Sequence, residues 1–185
     1  MLGGSFNPAH AGHLHVAHLA RRVLRLDQVW LMVSPGNPLK PTAGMAPASA
    51  RLKSAQSIAD GRRVVATDIE GRLGTRYTAD TLKKLRTRFP RARMIWLMGA
   101  DNLVQLPRWR QWRRIAASMP FAVLPRPTYN HRALAGRAAR RLRPVRLSAR
   151  HAAILAGLQA PRWIFLPTRQ HDASATQIRL ATHLS

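Results

Sequence analysis

Short apolar runs alternate along the chain with longer stretches whose apolar residues recur at helical spacing. Residues 28–34, carrying Val29-Trp30-Leu31-Met32-Val33, read as a short buried strand. Residues 63–67, 121–124 and 163–166 read the same way, and residues 93–98 form the clearest central strand. Between them lie helical stretches. Residues 14–26 place Leu14, Ala17, Val23 and Leu24 near helical spacing. Pro47 suits the first turn of a helix that ends near Gly61. Residues 77–88 are helical up to Pro90, and residues 102–117 are helical in parts, broken at Pro107. Residues 132–143 and 150–157 also look helical, and a last helix begins at Thr176. The proline-rich stretch 35–46 and the segment around Gly71 and Gly74 are loops.

Buried strands alternating with helices predict an α/β fold, a Rossmann-like doubly wound parallel sheet with helices on both faces. The chain has 185 residues, the size of a single domain spanning 1–185, with no internal repeat and no long linker. Ligands bind such sheets at the C-terminal ends of the strands. One irregularity concerns the start. Only Met1 and Leu2 precede the Gly3-Gly4 pair, against about 5–6 residues in an ordinary strand. The first strand is therefore expected to be truncated, with a missing upstream segment the physically favoured explanation and a late-assigned start codon its source.

Composition narrows the classes. At 46% hydrophobic, with five tryptophans, the chain can bury a core. It contains no cysteine, which excludes disulfide scaffolds, thiolate nucleophiles, Cys-ligated zinc and iron–sulfur clusters. No apolar run approaches the roughly 20 residues that cross a bilayer, and the start lacks the features of a secretory signal, so the expected compartment is the cytoplasm. The net charge of +24 has two readings. A polyanionic partner such as nucleic acid is one. The other is GC-rich coding: 27 of the 31 basic residues are arginine, and they are scattered through the predicted helices rather than gathered. Coding bias is taken as the main cause and phosphate-rich ligands as a second.

The most informative segment is Gly3-Gly4-Ser5-Phe6-Asn7-Pro8-Ala9-His10-Ala11-Gly12-His13. Paired glycines let backbone amides approach a ligand, and amides at a helix start favour an anion. His10 and His13, three apart, can point to one side, with Gly12 leaving room between them. Together these make a seat for a polyphosphate. His15 and His18 extend the run and raise the question of zinc. At about 100° per residue they lie about 200° and 140° around the helix from His13, so the four cannot converge on one ion. No metal site is assigned.

This opening resembles the signature of the H-x-G-H nucleotidyltransferases and, more narrowly, of the bacterial nicotinate-nucleotide adenylyltransferases. The resemblance extends to residues 34–40 (S-P-G-N-P-L-K), 77–82 (Y-T-A-D-T-L), 96–103 (W-L-M-G-A-D-N-L), Trp109 to Trp112, and residues 174–179 (S-A-T-Q-I-R). Asn7 stands where the family commonly has Asp, and Ala175 where it has a second Ser. The resemblance implies adenylyl transfer from ATP to nicotinate mononucleotide, giving the dinucleotide and pyrophosphate, a step of NAD biosynthesis. It implies His10 and His13 as catalytic groups. It implies Gly4, Ser5, Phe6, Gly99, Asp101, Ser174, Thr176 and Arg179 on ATP, and Asn37, Lys40, Thr78, Trp109 and Arg110 on the mononucleotide. Magnesium would be carried with ATP, held mostly by phosphate oxygens and water.

Several of these residues keep a plainer reading. Ser174-x-x-Gln177 is also a capping box, Asp101 also a helix cap, and Trp112 also a core residue. If Pro107 starts a turn, Trp109 and Trp112 share one helical face. Rival functions are another transferase of the superfamily, such as the pantetheine-phosphate enzyme, and a basic nucleic-acid-binding protein. The second would leave the histidine pair without a purpose. No nucleic acid or membrane partner is expected, and no P-loop motif occurs.

Overall fold

The computed structural model describes residues 1–36 and 44–167. Among these, one compact unit holds Met1–Arg22 and Leu26–Arg76, and a second holds Val23–Arg25 and residues 77–167.

The first unit runs β1 (Leu2–Gly4), α1 (Ala11–Val23), β2 (Val29–Val33), α2 (Ala48–Ile58), β3 (Val64–Thr67) and the short α3 (Ile69–Arg72). Its strands lie in the order β3-β2-β1, both pairings parallel, with Leu2 opposite Leu31, Gly4 opposite Val33 and Val29 opposite Val64. Parallel neighbours need a crossover, and α1 and α2 supply it. Val29, Leu31, Met32 and Val33 are all buried, so β2 is an apolar run rather than an alternating one. Ala17 and Ala20 bury the inner face of α1, and their small size lets the helix lie close to its neighbours. The expected short first strand is present: β1 has three residues against five in β2.

The second unit contains α4 (Thr78–Arg88), β4 (Trp96–Gly99), α5 (Ala100–Gln105), α6 (Trp112–Ser118), β5 (Phe121–Leu124), α7 (Asn130–Leu134), α8 (Arg137–Arg141), β6 (Arg146–Leu147) and β7 (Trp163–Phe165). Its strands run β4-β5-β7-β6, again all parallel, with Gly99 opposite Leu124 and Phe121 opposite Trp163. Trp163 is fully buried, stacks on Phe121 with ring centroids 5.5 Å apart, and donates its indole N–H to the Leu142 carbonyl at 2.8 Å. That bond satisfies the one polar atom an indole takes into a core.

The α/β, Rossmann-like class stands, and the differences from the sequence reading are local. α1 starts at Ala11, three residues before Leu14. Pro47 caps α2 instead of opening its first turn. β4 begins at Trp96, because Arg93 is exposed and Met94 only half-buried. Gly71 lies inside α3, and the chain turns at Gly74, whose φ is +60°. The helix expected over 132–143 is two helices parted at Gly136, where a Cβ would sit 2.9 Å from the Arg132 carbonyl oxygen. Residues 149–157 form 3-10 turns, not α-helix. β6 had no sequence expectation. The helix expected from Thr176 lies outside the described residues.

Entry into β3 is governed by one carboxylate. Asp60 Oδ1 accepts the backbone N–H groups of Arg62, Arg63 and Val64 at 2.9, 2.7 and 2.8 Å. These bonds, Val64's foremost, hold its pKa below the usual 3.8. A depressed carboxylate contributes stability above its unfolded pKa and loses it as pH falls through the folded value. Asp60→Ala is therefore expected to melt below the parent at pH 6, with the gap closing as pH falls from 4 towards 2. Melting curves across that range check it, and a gap that widens in acid contradicts it.

Candidate active site

The chain leaves β1 at Gly4, turns through Ser5 and Phe6, and enters α1 at Ala11. Phe6 sits at φ +48°, a strained value for a residue with a side chain. Its ring is almost wholly buried, folds back over Gly4, and lies 4.8 Å from the His13 ring. A Cβ on Gly4 would come within 3.1 Å of that ring, so any side chain there requires the ring to give way. Phe6 therefore offers a ligand its backbone, not its ring.

His10 and His13 are brought together as their spacing required. Their ring centroids are 3.9 Å apart, His10 being buried and His13 half-buried. His10 directly precedes α1, and its Nδ1 accepts the Gly12 N–H at 3.1 Å, the work of a helix cap. His13 Nδ1 accepts the His10 N–H at 3.2 Å. A ring nitrogen that accepts carries no proton, so each neutral imidazole is the tautomer with its N–H at Nε2. The backbone orients both rings and makes Nε2 the donor of each.

Asn7 makes sense of its departure from the commoner Asp. Its Nδ2 donates to the Gly44 carbonyl at 2.9 Å and its Oδ1 accepts the Ala46 N–H at 3.2 Å. A carboxylate could make only the second bond.

Below this turn lies a residue the sequence reading missed. Arg51, on α2, is 2% exposed. Its Nη1 donates to the carbonyls of Ser5 at 2.9 Å and Ser34 at 2.7 Å, its Nε to Ala46 at 2.9 Å, and its Nη2 to Pro35 at 3.2 Å. Burial lowers its pKa from the ordinary guanidinium value. A signal did exist: Arg51 lies four residues before Ala55 on the one buried face of α2, where a charged residue is out of place.

In the second unit, Gly99 ends β4 and Asp101 lies in the first turn of α5. Asp101 Oδ1 is buried with no hydrogen-bond partner among the described residues, so this oxygen caps nothing. Arg126, a second residue the sequence reading missed, places its Nε 3.8 Å from that oxygen. Gly99 makes room for both: a Cβ there would collide with Asp101 Oδ1 and lie 3.0 Å from Arg126 Nε.

Trp109 and Trp112 do not share a helical face. Trp109 is extended after a 3-10 turn (Leu106–Arg108), Gln111 takes a left-handed conformation at φ 54°, and Trp112 opens α6. Trp109 is half-buried, and its indole N–H is buried without a partner among the described residues. The Arg110 guanidinium lies 4.7 Å over the Tyr77 ring, which joins this turn to the start of α4, where Thr78 is the first helical residue. Asn37, Lys40, Ser174, Thr176 and Arg179 lie outside the described residues.

Residues 1–181 match the model of the cytidylyltransferase-like family. Proteins named "probable nicotinate-nucleotide adenylyltransferase" from Gluconacetobacter diazotrophicus and Gluconobacter oxydans are 62% and 60% identical over 97% of this chain, and 83% and 92% of theirs. The chain belongs to the nicotinate-nucleotide adenylyltransferase family. A protein of the same name from Parvibaculum lavamentivorans is 54% identical over 97% of this chain and 89% of its own. Among solved structures, a Plasmodium falciparum nicotinic acid mononucleotide adenylyltransferase complexed with NaAD matches with a TM-score of 0.68 at 14% identity, covering 97% of this chain and 80% of the other. That likeness shows the fold.

The contact between Gly99 and Asp101 gives a test that needs no substrate. Gly99→Ala is expected to cost about 1–3 kcal/mol through overpacking. Adding Asp101→Ala should recover the larger part, because the carboxylate is the nearest obstacle. Urea unfolding of the parent, both single variants and the double variant measures the coupling, and strictly additive losses would place the strain elsewhere.

Proposed function

We propose that this protein transfers the adenylyl group of ATP to nicotinate mononucleotide, releasing pyrophosphate, as one nucleotidyltransferase domain over residues 1–185. The observation that carries this reading is the pair of Nε2–H donors beside the Gly4–Phe6 turn. Both rings are oriented by bonds from the backbone to Nδ1. Close family members named for this reaction, at 60–62% identity, support it.

The acceptor phosphate has a second pKa of about 6, so at neutral pH it is largely ionised and needs no general base. One of its oxygens bonds to the α-phosphorus of ATP. The bond from that phosphorus to the bridging oxygen of the β-phosphate breaks, and its electron pair leaves with pyrophosphate. The protein's task is in-line placement and stabilisation of the growing negative charge. His10 and His13 donate to that charge, and the backbone at Gly4, Ser5 and Phe6 receives the phosphates. Magnesium enters as the counter-ion of ATP, held by phosphate oxygens and water. Ser174, Thr176 and Arg179 take the remaining ATP contacts.

In the second unit, Gly99 keeps the backbone open at the end of β4 and Asp101 accepts a ribose hydroxyl. Trp109 stacks on the pyridine ring. Thr78 and the Arg110 backbone take the nicotinate carboxylate, Thr78 standing at the N-terminus of α4, the end of a helix that favours an anion. Asn37 and Lys40 serve the mononucleotide. No helix of the described residues is long and apolar enough to cross a membrane. Our reading puts the reaction in the cytoplasm and calls for no nucleic acid partner.

The deciding assay offers ATP and magnesium with nicotinate mononucleotide, nicotinamide mononucleotide or pantetheine phosphate in turn, and measures pyrophosphate release. Release with pantetheine phosphate alone would move the protein elsewhere in its superfamily. His10→Ala and His13→Ala are each expected to lower kcat by about 10²–10³, far more than they lower stability, since the lost helix-cap bond costs only about 0.5–2 kcal/mol. Near-normal turnover in both folded variants would refute the histidine assignment. Trp109→Ala is expected to raise the KM for the mononucleotide about tenfold, a loss of stacking worth ~0.5–1.5 kcal/mol, with little change in the KM for ATP. Equal weakening of both substrates would return Trp109 to the core.

A further inference from the structure

Arg51 is buried as few charged residues are. Among the described residues it has no carboxylate partner. Its partners are four main-chain carbonyls, at Ser5, Ser34, Pro35 and Ala46. Carbonyls satisfy the donors of a guanidinium but do not cancel its charge, and a buried charge without a counter-charge is costly. If the only need were to tie these backbone segments together, a neutral donor would carry a smaller penalty. Retention of a full positive charge beneath the Gly4–Phe6 turn calls for an anion on the other side of it.

The geometry says how the charge would reach that anion. In a trans peptide, C=O and N–H point in opposite directions. Arg51 Nη1 draws the Ser5 carbonyl towards itself, which turns the Phe6 N–H the other way. Phe6 is the residue held at φ +48°, a conformation that needs support from outside the turn. The same Nη1 holds the Ser34 carbonyl just beyond β2, and Nη2 holds Pro35 next to it. One side chain thus sets the path of the chain leaving both β1 and β2.

We propose that Arg51 is a positioning residue for the triphosphate of ATP. It fixes the Ser5–Phe6 peptide with its N–H towards the phosphates, and its buried charge is completed by theirs when the substrate binds. This rests on the reading of the turn as a phosphate seat. The residue acts through the backbone and, being 2% exposed, does not touch the substrate itself.

The test uses the full-length protein and two variants, Arg51→Lys and Arg51→Met, with inorganic pyrophosphate and ATP as probes. Lys keeps the charge and loses the fork, whereas Met keeps much of the stem and loses both. The dissociation constant for pyrophosphate and the KM for ATP are expected to rise about tenfold in Arg51→Lys and further in Arg51→Met. The KM for the mononucleotide should stay within about twofold. A purely structural role predicts a lower melting temperature and fewer active molecules with both KM values unchanged, and that result overturns the proposal. Should neither variant fold, the unsubstituted protein labelled with 15N-phenylalanine still decides it. The Phe6 amide resonance, assigned with Phe6→Leu, must shift on adding pyrophosphate, and a static signal while pyrophosphate binds overturns the proposal. Failure of the unsubstituted protein to bind pyrophosphate or ATP at all overturns the functional reading together with this inference. Equal binding by parent and variants overturns the inference alone.

Discussion

A helix begins with backbone N–H groups that have no partner inside it, and at α1 that need is met by an imidazole. His10 Nδ1 takes the Gly12 N–H, and His13 Nδ1 takes the N–H of His10. A Ser or Asp could cap the same helix. Neither would turn the capping bond into a choice of tautomer. Because the backbone occupies Nδ1, the proton of each neutral ring sits at Nε2, and both rings are oriented before any substrate arrives. Preorganised donors cost no rearrangement at the moment charge develops, which is where their catalytic value lies. The glycine at position 12 is part of the same device, since its buried amide must reach the ring behind it.

Most of this half of the site was legible from residue types and spacing. The paired glycines, the three-residue interval between the histidines and the strand–turn–helix context are local properties of a few residues, and local properties are what a sequence displays. Arg51 was not legible in the same way. Its four partners come from positions 5, 34, 35 and 46, brought together only by folding. Arg126 is similar: its neighbour Asp101 is 25 positions away and belongs to another strand end. Both arginines were hidden among 27, where an abundance attributed to coding bias drew attention away from single cases.

Boundaries failed for equally physical reasons. The apolar run before β4 extends further in sequence than in the sheet, because Ile95 is buried ahead of the point where pairing begins at Trp96. The helical face that seemed to join Trp109 and Trp112 is broken by Gln111 in a left-handed conformation, which no glycine or asparagine announces. β6 pairs through only two residues, too few for any periodicity. The class of the fold survived these errors because it depends on the order of buried strands and crossover helices, not on where each one ends.

The carbonyl cage around Arg51 bears on how this protein can change over evolutionary time. Main-chain oxygens are present whatever side chain stands above them. The cage therefore constrains where the backbone runs at Ser5, Ser34, Pro35 and Ala46 and places little demand on the identity of those residues. Substitutions there are tolerated so long as the path is kept, whereas the arginine has no substitute with the same planar fork. Divergent relatives could thus alter much of the visible lining of the turn while the buried group beneath it stays the same.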